Sequence, residues 1–184
     1  MDENLREDLT ALLDRIAKEV YASDDRYRVT ILGRSERVDA IQSLLRWEDG
    51  RVREVKKTRV AFRKGQVAAG RAWESPGDLF VLELPQFNDR ADLQRYYVEQ
   101  LGFPAEFPRH LSLRMVKTRE ILCVGLHLNA DDAPIVLSVD TFAVPGVVRK
   151  RKGSWVLRRE IRLLSILQDF RDALFVRSLC GVSP

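Results

Sequence analysis

Apolar residues near both ends of the chain recur at the three- and four-residue steps of an α-helix. Residues 3–21 place their apolar positions on one face and their charged positions on the other, which predicts an amphipathic helix. Residues 156–180 carry Leu, Ile and Phe on more than one side, so a helix there has to bury more than one face. A shorter internal helix is predicted over 91–101, ending at Gly102.

Between the terminal helices, short runs of β-branched and alternating apolar residues predict strands. These runs are residues 27–33, 40–47, 52–55, 79–84, 121–128 and 135–140. Turn residues over 129–134 separate the last two runs, which predicts a hairpin. Strands and helices do not alternate regularly. We therefore expect an α+β fold with one central antiparallel sheet of five to six strands, and with the N- and C-terminal helices packed on one face.

The length and composition favour one soluble domain that spans residues 1–184. Hydrophobic residues make up 45% of the chain and charged residues 32%, which is enough for a core and a solvated surface. No apolar run approaches the roughly 18 residues of a membrane span, and the acidic N-terminus does not resemble a secretory signal. Two widely separated cysteines fit a reduced protein, so we expect a cytoplasmic location without membrane attachment.

The net charge of +4 is distributed in blocks. Residues 51–75 hold 8 Lys/Arg against 2 Asp/Glu, and residues 146–184 hold 9 against 3. Such blocks are typical of a solvated surface, or of a surface that binds nucleic acid, an acidic protein or a phosphorylated small molecule. Neither block carries the interleaved aromatic residues of a base-stacking surface, so nucleic acid is the less favoured partner.

The glycine-rich stretch FRKGQVAAGRAW, residues 62–73, has the spacing of a phosphate-binding loop but not its chemistry. A Walker loop needs Lys and Ser or Thr after its second glycine, and here Arg71 and Ala72 follow Gly70. We interpret Gly65 and Gly70 instead as residues that let the chain turn tightly and let a short Ala-rich helix approach the sheet.

Other catalytic or metal-binding patterns are also missing. His110 and His127 have no His or Cys at zinc spacing, so no metal site is predicted. The sequence contains no Gly-x-Ser-x-Gly nucleophile elbow, and Cys123 falls within a strand that we expect to be buried. The sequence therefore predicts that the protein is not an enzyme, and it identifies no cofactor.

Three segments, in this order, resemble a GAF domain, the small sensory fold related to PAS. Residues 62–73 resemble the family's Gly-containing turn and short helix, ILCVGLHL (121–128) resembles one of its strands, and PIVLSVD (134–140) resembles the strand that usually reads Ile-Gly-Val-Leu-x-Val-Asp. Together with the terminal helices, the resemblance covers nearly the whole chain. The sequence departs from the family at Gly125, where proline is common, and it lacks the signatures of the cyclic-nucleotide-binding, bilin-binding and methionine sulfoxide reductase branches.

The resemblance implies that residues 27–142 form the sheet and a pocket on the face opposite the terminal helices, with 65–75 and 87–115 as its roof. Concave, mostly apolar pockets with a few polar groups are the usual small-molecule sites. Aromatic residues would stack on a planar ligand, arginines would hold a carboxylate or phosphate, and the floor would supply Asp140 or Thr141. The ligand contacts implied in this way are Arg71, Trp73, Phe87, Tyr96, Tyr97, His110, Arg114, Asp140 and Thr141. The alternative for Trp73, Tyr96 and Tyr97 is an ordinary place in the core.

Three functional hypotheses follow. The first is a non-catalytic sensor that binds a nucleotide or another anionic metabolite and signals through a partner protein or through a homodimer of its terminal helices. The second is a basic module in which residues 51–64 and 149–162 bind nucleic acid or an acidic protein. The third is a redox enzyme that uses Cys123. The resemblance favours the first.

Overall fold

A computed structural model of the protein describes most of the chain. The described residues are 3–22, 26–35, 38–55, 60–111, 113–127, 134–142 and 154–179. The hairpin turn expected over 129–134 lies outside them except for Pro134, and the basic loop 149–153 lies outside them entirely.

Within these residues the chain forms four α-helices, seven strands and two short 3-10 helices. The helices are α1 (Glu3–Glu19), α2 (Val67–Glu74), α3 (Arg90–Glu99) and α4 (Ser154–Leu179), and the 3-10 helices are Phe107–His110 and Leu113–Lys117. The strands are β1 (Tyr27–Arg34), β2 (Ile41–Glu48), β3 (Arg51–Glu54), β4 (Ala61–Phe62), β5 (Leu79–Glu83), β6 (Glu120–Leu126) and β7 (Ile135–Thr141).

All seven strands belong to one antiparallel sheet. Its order is β3-β2-β1-β7-β6-β5, and the two-residue β4 pairs with β2 beside that path. The two central strands, β1 and β7, are far apart in sequence, and β6 and β7 form the expected hairpin. The predicted α+β fold with a single antiparallel sheet is confirmed.

The long helices α1 and α4 cover one face of this sheet. Leu9, Leu13 and Ile16 of α1 and Leu163 and Ile166 of α4 are fully buried in one core cluster. Alternate residues of the central strands, among them Val29 and Ile31 of β1 and Leu137 and Val139 of β7, complete that cluster from the sheet. Two ion pairs also join the helices at their solvent side, Arg15 with Asp169 and Arg162 with Glu19. The expected position of both terminal helices on one face is confirmed.

The opposite face of the sheet is covered by α2, α3 and the two 3-10 helices. Helix α2 packs against β6 so closely that a Cβ atom on Gly125 would lie 1.9 Å from the carbonyl oxygen of Ala72. Within α2, a Cβ on Gly70 would lie 2.0 Å from the carbonyl oxygen of Arg63, while Gly65 adopts a positive φ of 73°. Gly65 is a turn residue, as expected, and Gly70 permits close contact with the segment that precedes α2. The close approach of α2 to the sheet depends instead on Gly125, which the sequence analysis did not single out for this role.

The Gly125→Ala substitution is expected to reduce the free energy of unfolding by about 1–3 kcal/mol, because the added methyl group meets the backbone of α2 and has no room to move. Chemical denaturation of the purified variant measures this loss. The matched control is Gly33→Ala in β1, where the added atom meets only the mobile end of the Leu44 side chain. Equal stability of the Gly125→Ala variant and the parent would contradict the close contact between α2 and β6.

Candidate functional site

A cavity of about 230 Å³ lies between the sheet and the segments that cover its second face. Its floor is formed by strands β1, β2 and β7, with single residues from β5 and β6, and its roof by the start of α2, by α3 and by the 3-10 helices. The lining residues are Arg28, Thr30, Leu32, Ser43, Arg46, Val55, Val60, Phe62, Val67, Ala68, Ala69, Leu82, Tyr97, Leu111, Met115, Ile121, Ser138 and Asp140. Most of them are apolar, and the polar ones are concentrated on the floor.

Strand alternation explains why polar side chains meet on this floor. Arg28 and Thr30 of β1 are out of phase with the apolar residues that face α1 and α4, so they point to the cavity side. Ser138 and Asp140 have the same phase on β7. The register then places Arg28 directly opposite Asp140, and Thr30 directly opposite Ser138. Two polar pairs therefore lie side by side at the centre of the sheet.

Arg28 and Asp140 form a buried ion pair. The Arg28 side chain donates to Asp140 Oδ2 from Nε at 2.7 Å and also from Nη2. Both residues are almost fully buried, with 5% and 6% of their surface exposed. Arg28 Nη2 also contacts the sulfur of Met115 in the roof at 3.0 Å, and the guanidinium lies over the ring of Phe142. Because this carboxylate and guanidinium neutralise each other, the pair itself adds no net charge to the cavity.

Arg46 of β2 brings a second guanidinium to the cavity. It lies opposite Thr30 of β1 and is half-buried, and its Nε is buried without a hydrogen-bond partner in the described part of the chain. Burial lowers the pKa of Arg46, and the positive charge of Arg28 lowers it further. An arginine remains charged at neutral pH even so. The lining therefore contains a positive charge that is partly removed from water.

Two other titratable side chains near the cavity stay neutral. Burial raises the pKa of the Tyr97 phenol, and the Asp140 charge adds to this shift. Cys123 of β6 is completely buried, and burial raises the pKa of its thiol to about 12. A thiol with this pKa is protonated at neutral pH and is a poor nucleophile.

The roof of the cavity begins with the first turn of α2. Val67, Ala68 and Ala69 line the cavity, and no side chain caps this helix end. A helix N-terminus carries partial positive charge, so it adds to the positive potential of the lining. Val67 also adopts a φ of 47°, a strained conformation for a β-branched residue. Such strain is typical of segments that surround functional sites.

The structure brings two of the sequence-predicted ligand contacts to the cavity, Tyr97 in the roof and Asp140 on the floor. Thr141 follows Asp140 in β7 and points to the opposite face of the sheet. Trp73 is buried in a cluster around α2, below the ammonium group of Lys64. Trp73 therefore occupies the core position that was its alternative, outside the lining of the cavity.

The other predicted contacts also lie outside this lining. Phe87 and Tyr96 pack edge to face in the cluster that supports α3. Arg71 is exposed on α2, and Arg114 is exposed and paired with Glu48 and Asp49. The side chain of His110 lies outside the described residues. As ligand contacts, these residues stay predictions.

Sequence reasoning missed four polar residues of the floor, Arg28, Thr30, Ser43 and Arg46, together with Ser138 beside Asp140. The sequence signal that identifies most of them is the alternation of polar and apolar residues along a strand. In YRVTILGR and IVLSVDT, the polar residues alternate with the apolar residues of a strand that is buried on both faces. Arg46 and Ser43 are three residues apart, and they share a face only because the pairing of β1 and β2 shifts register between Ile31 and Leu32.

No group of three or more His, Cys, Asp or Glu side chains suited to a metal ion occurs among the described residues. None of the helices in the same part of the chain combines the length and apolarity needed to cross a membrane.

No protein-family model and no curated protein matches the sequence. Among solved structures, the chain resembles the GAF domain of a two-component sensor histidine kinase from Bacillus halodurans, with 13% identity, a TM-score of 0.55, and coverage of 94% of this chain and 97% of that one. It also resembles an IclR family transcriptional regulator from Brucella abortus, with 13% identity, a TM-score of 0.44, and coverage of 92% of this chain and 63% of that one. A third structure is an NreA protein from Staphylococcus aureus mutated in its nitrate binding site, with 19% identity, a TM-score of 0.41, and coverage of 76% of this chain and 88% of that one.

The Bacillus halodurans domain matches almost the whole of both chains, which shows that this protein has a GAF-like fold. The resemblance that the sequence motifs indicated is confirmed at the level of the fold. At this low identity the match carries no information about ligand or activity.

The Asp140→Leu substitution is expected to destabilise the protein by about 3–5 kcal/mol, because it leaves the Arg28 guanidinium buried without its carboxylate. Equilibrium unfolding in denaturant measures the loss. The double variant Arg28→Met/Asp140→Leu replaces both charges with apolar side chains, and we expect it to recover most of the lost stability. A double variant no more stable than Asp140→Leu alone would show that the two side chains do not act as a pair.

Proposed function

We propose that this protein is a non-catalytic sensor or regulatory domain that binds a small molecule in the cavity between the sheet and its roof. The single observation that carries this proposal is the cavity itself, an apolar enclosure into which a few charged and hydroxyl side chains converge. Sites of this composition are typical of small-molecule binding. The GAF-like fold is consistent with a sensory role, because the similar Bacillus halodurans domain is part of a sensor kinase.

The chemistry of the described side chains supports binding over catalysis. Cys123 is fully buried and its pKa is raised to about 12, which disfavours the redox hypothesis. The Asp140 carboxylate accepts hydrogen bonds from Arg28 on the cavity floor, so it is already engaged in an ion pair. We therefore propose that the polar groups orient a ligand.

The alternative is a basic module for nucleic acid or an acidic protein. Of its two basic segments, 149–162 is described from residue 154 onward, with side chains from residue 161 onward, and 51–64 is described only in part. In the described part, Arg53 pairs with Asp49, and Lys64 lies over the ring of Trp73. These are two of the four described cations of this segment, the others being the exposed Arg51 and Arg63, and no specific observation favours this alternative.

Native mass spectrometry of the gently purified protein is expected to reveal a bound small molecule. If none co-purifies, a melting experiment with a panel of metabolites and nucleotides is expected to find members that raise the Tm. The Ala69→Leu substitution fills part of the cavity and is expected to abolish the binding. Ala91→Leu is the matched control, because it makes the same change at an exposed position of α3. Affinity for nucleic acid that falls steeply with salt, together with no small-molecule binding, would contradict the proposal and support the basic module.

We further propose that signalling passes through the terminal helices, to an output partner or within a homodimer. Ile161 and Leu164 of α4 support this, because they are 57% and 39% exposed although they are large and apolar. Their side of the helix faces away from the sheet, since Leu163, Ile166 and Leu167 fill the core. A second copy of α4 is a suitable cover for this apolar strip.

Light scattering of the purified chain is expected to report a dimer, and the Ile161→Glu/Leu164→Glu variant is expected to shift it to a monomer. An added charge at the dimer contact would be buried without a partner, which explains the expected shift. Ala173→Glu, on a different exposed part of α4, is the control and leaves the dimer intact. A parent protein that stays monomeric at high concentration would contradict dimerisation.

A further inference from the structure

Arg46 has unused hydrogen-bonding capacity inside the cavity. Its Nε–H is buried and has no acceptor within the described part of the chain. A buried donor that lost its bonds to water without gaining a partner costs free energy. Arg46 lies opposite Thr30 on the floor of the cavity, so a ligand in the cavity is a suitable source of this acceptor.

The two carboxylates whose charges act most on Arg46, those of Glu48 and Asp140, are held by other arginines. Asp140 accepts hydrogen bonds from Arg28 at the centre of the floor. Glu48, two residues along β2 from Arg46, accepts from Arg114 Nη1 at 2.5 Å, and Arg114 also bonds Asp49 at 3.0 Å. Each of these carboxylates therefore has a guanidinium other than that of Arg46.

The charge balance of the lining specifies how much negative charge the cavity can accept. Among the described residues it contains two guanidinium groups, Arg28 and Arg46, and one carboxylate, Asp140, so one positive charge is left over in this part of the lining. Arg28 also lowers the pKa of Arg46, which means that the two cations repel each other. A ligand with a single negative charge would remove the excess, whereas a dianion would overcompensate it.

The other lining residues and the size of the cavity indicate the shape and polarity of the ligand. A guanidinium is planar and offers parallel donors that match the two oxygens of a carboxylate. The hydroxyl groups of Thr30 and Ser43 lie on the same floor, while the opposite side presents Val67, Ala68 and Leu111. A cavity of about 230 Å³ is smaller than the roughly 300–1,000 Å³ of sites for drug-sized molecules, which favours a compact apolar body over a nucleotide.

We propose that the cavity binds a small monocarboxylic acid with an apolar body, and that Arg46 is the anchor for its carboxylate. This inference rests on the proposed sensor function and gives it a ligand class. Arg28 and Asp140 have a different role, since their mutual ion pair supports the floor on which the carboxylate lies.

Isothermal titration calorimetry with benzoate and hexanoate, and with benzamide and hexanamide as their neutral counterparts, tests this inference. At least one acid is expected to bind at least tenfold more tightly than its amide, because only the acid offers Arg46 a charged acceptor. Guanosine monophosphate and inorganic nitrate are included as a nucleotide and as an anion without an apolar body. Stronger binding of either of these than of both acids would overturn the proposed ligand class.

The Arg46→Gln variant is expected to bind the acid about ten- to hundredfold more weakly, the range typical of losing a charged hydrogen bond. Arg46→Lys keeps the charge without the planar pair of donors, so we expect it to retain part of the affinity. Arg34→Gln makes the same exchange at an exposed position of β1 and is expected to bind like the parent. Unchanged affinity in Arg46→Gln would overturn the assignment of the anchor.

A second measurement separates a binding role from a structural one. Without ligand, the Arg46→Gln variant is expected to melt about 2–4 °C higher than the parent, because a desolvated charge beside Arg28 has been removed. A residue that stabilised the empty fold would produce the opposite change, so a clearly lower Tm would overturn the proposal.

The same experiments distinguish failure of this inference from failure of the sensor function. A neutral molecule that co-purifies in the cavity, or amides that bind as well as the acids, would overturn the carboxylate assignment and leave the sensor function standing. A cavity that binds none of these probes, in a protein that also purifies without any small molecule, would overturn both.

Discussion

The charge distribution on the cavity side of the sheet depends on one interaction, the ion pair between Arg28 and Asp140. It joins β1 and β7, the two central strands, at directly opposed positions. Because desolvating two charges costs several kcal/mol per ion, such a pair adds little stability compared with apolar side chains of the same volume. Its effect here is on charge distribution. It neutralises the Asp140 carboxylate on the cavity floor, while the buried Nε–H of Arg46 has no acceptor among the described residues.

The two faces of the sheet are consequently built on different principles. The face under α1 and α4 is filled by Leu, Ile and Val side chains that are completely buried, so its stability comes from apolar area removed from water. The other face keeps a row of polar residues, and its cover consists of short elements. Helix α2 approaches β6 closely at Gly125, while its first turn stands above the cavity with Val67 in a strained conformation. Close contact at one end and open space at the other are combined in a single eight-residue helix.

Strong local patterns allowed most of the fold to be predicted. The apolar periodicity of α1, the alternation in β6 and β7, and the turn residues between them identify elements whose bounds in the structure differ by a few residues. Those patterns are local consequences of which side of an element is buried. The site was harder to predict, because its polar floor residues are brought together by the pairing of strands that are distant in sequence. Tyr97 and Asp140 line the cavity, whereas Trp73 packs in the core and Arg114 pairs with β2 and the turn after it.

The sequence by itself determined the secondary structure, the single antiparallel sheet and its resemblance to the GAF fold, because periodicity and turn chemistry are properties of neighbouring residues. Only the tertiary structure decided which charges meet. Arg28 and Asp140 are 112 residues apart, and their pairing depends on the register between β1 and β7. Within the described part of the chain the Nε–H of Arg46 has no acceptor, and Arg28 and Arg114 hold the carboxylates of Asp140 and Glu48. The electrostatic potential in a cavity depends on the distances to all the charges around it, and those distances are set by the tertiary structure and not by separation along the chain.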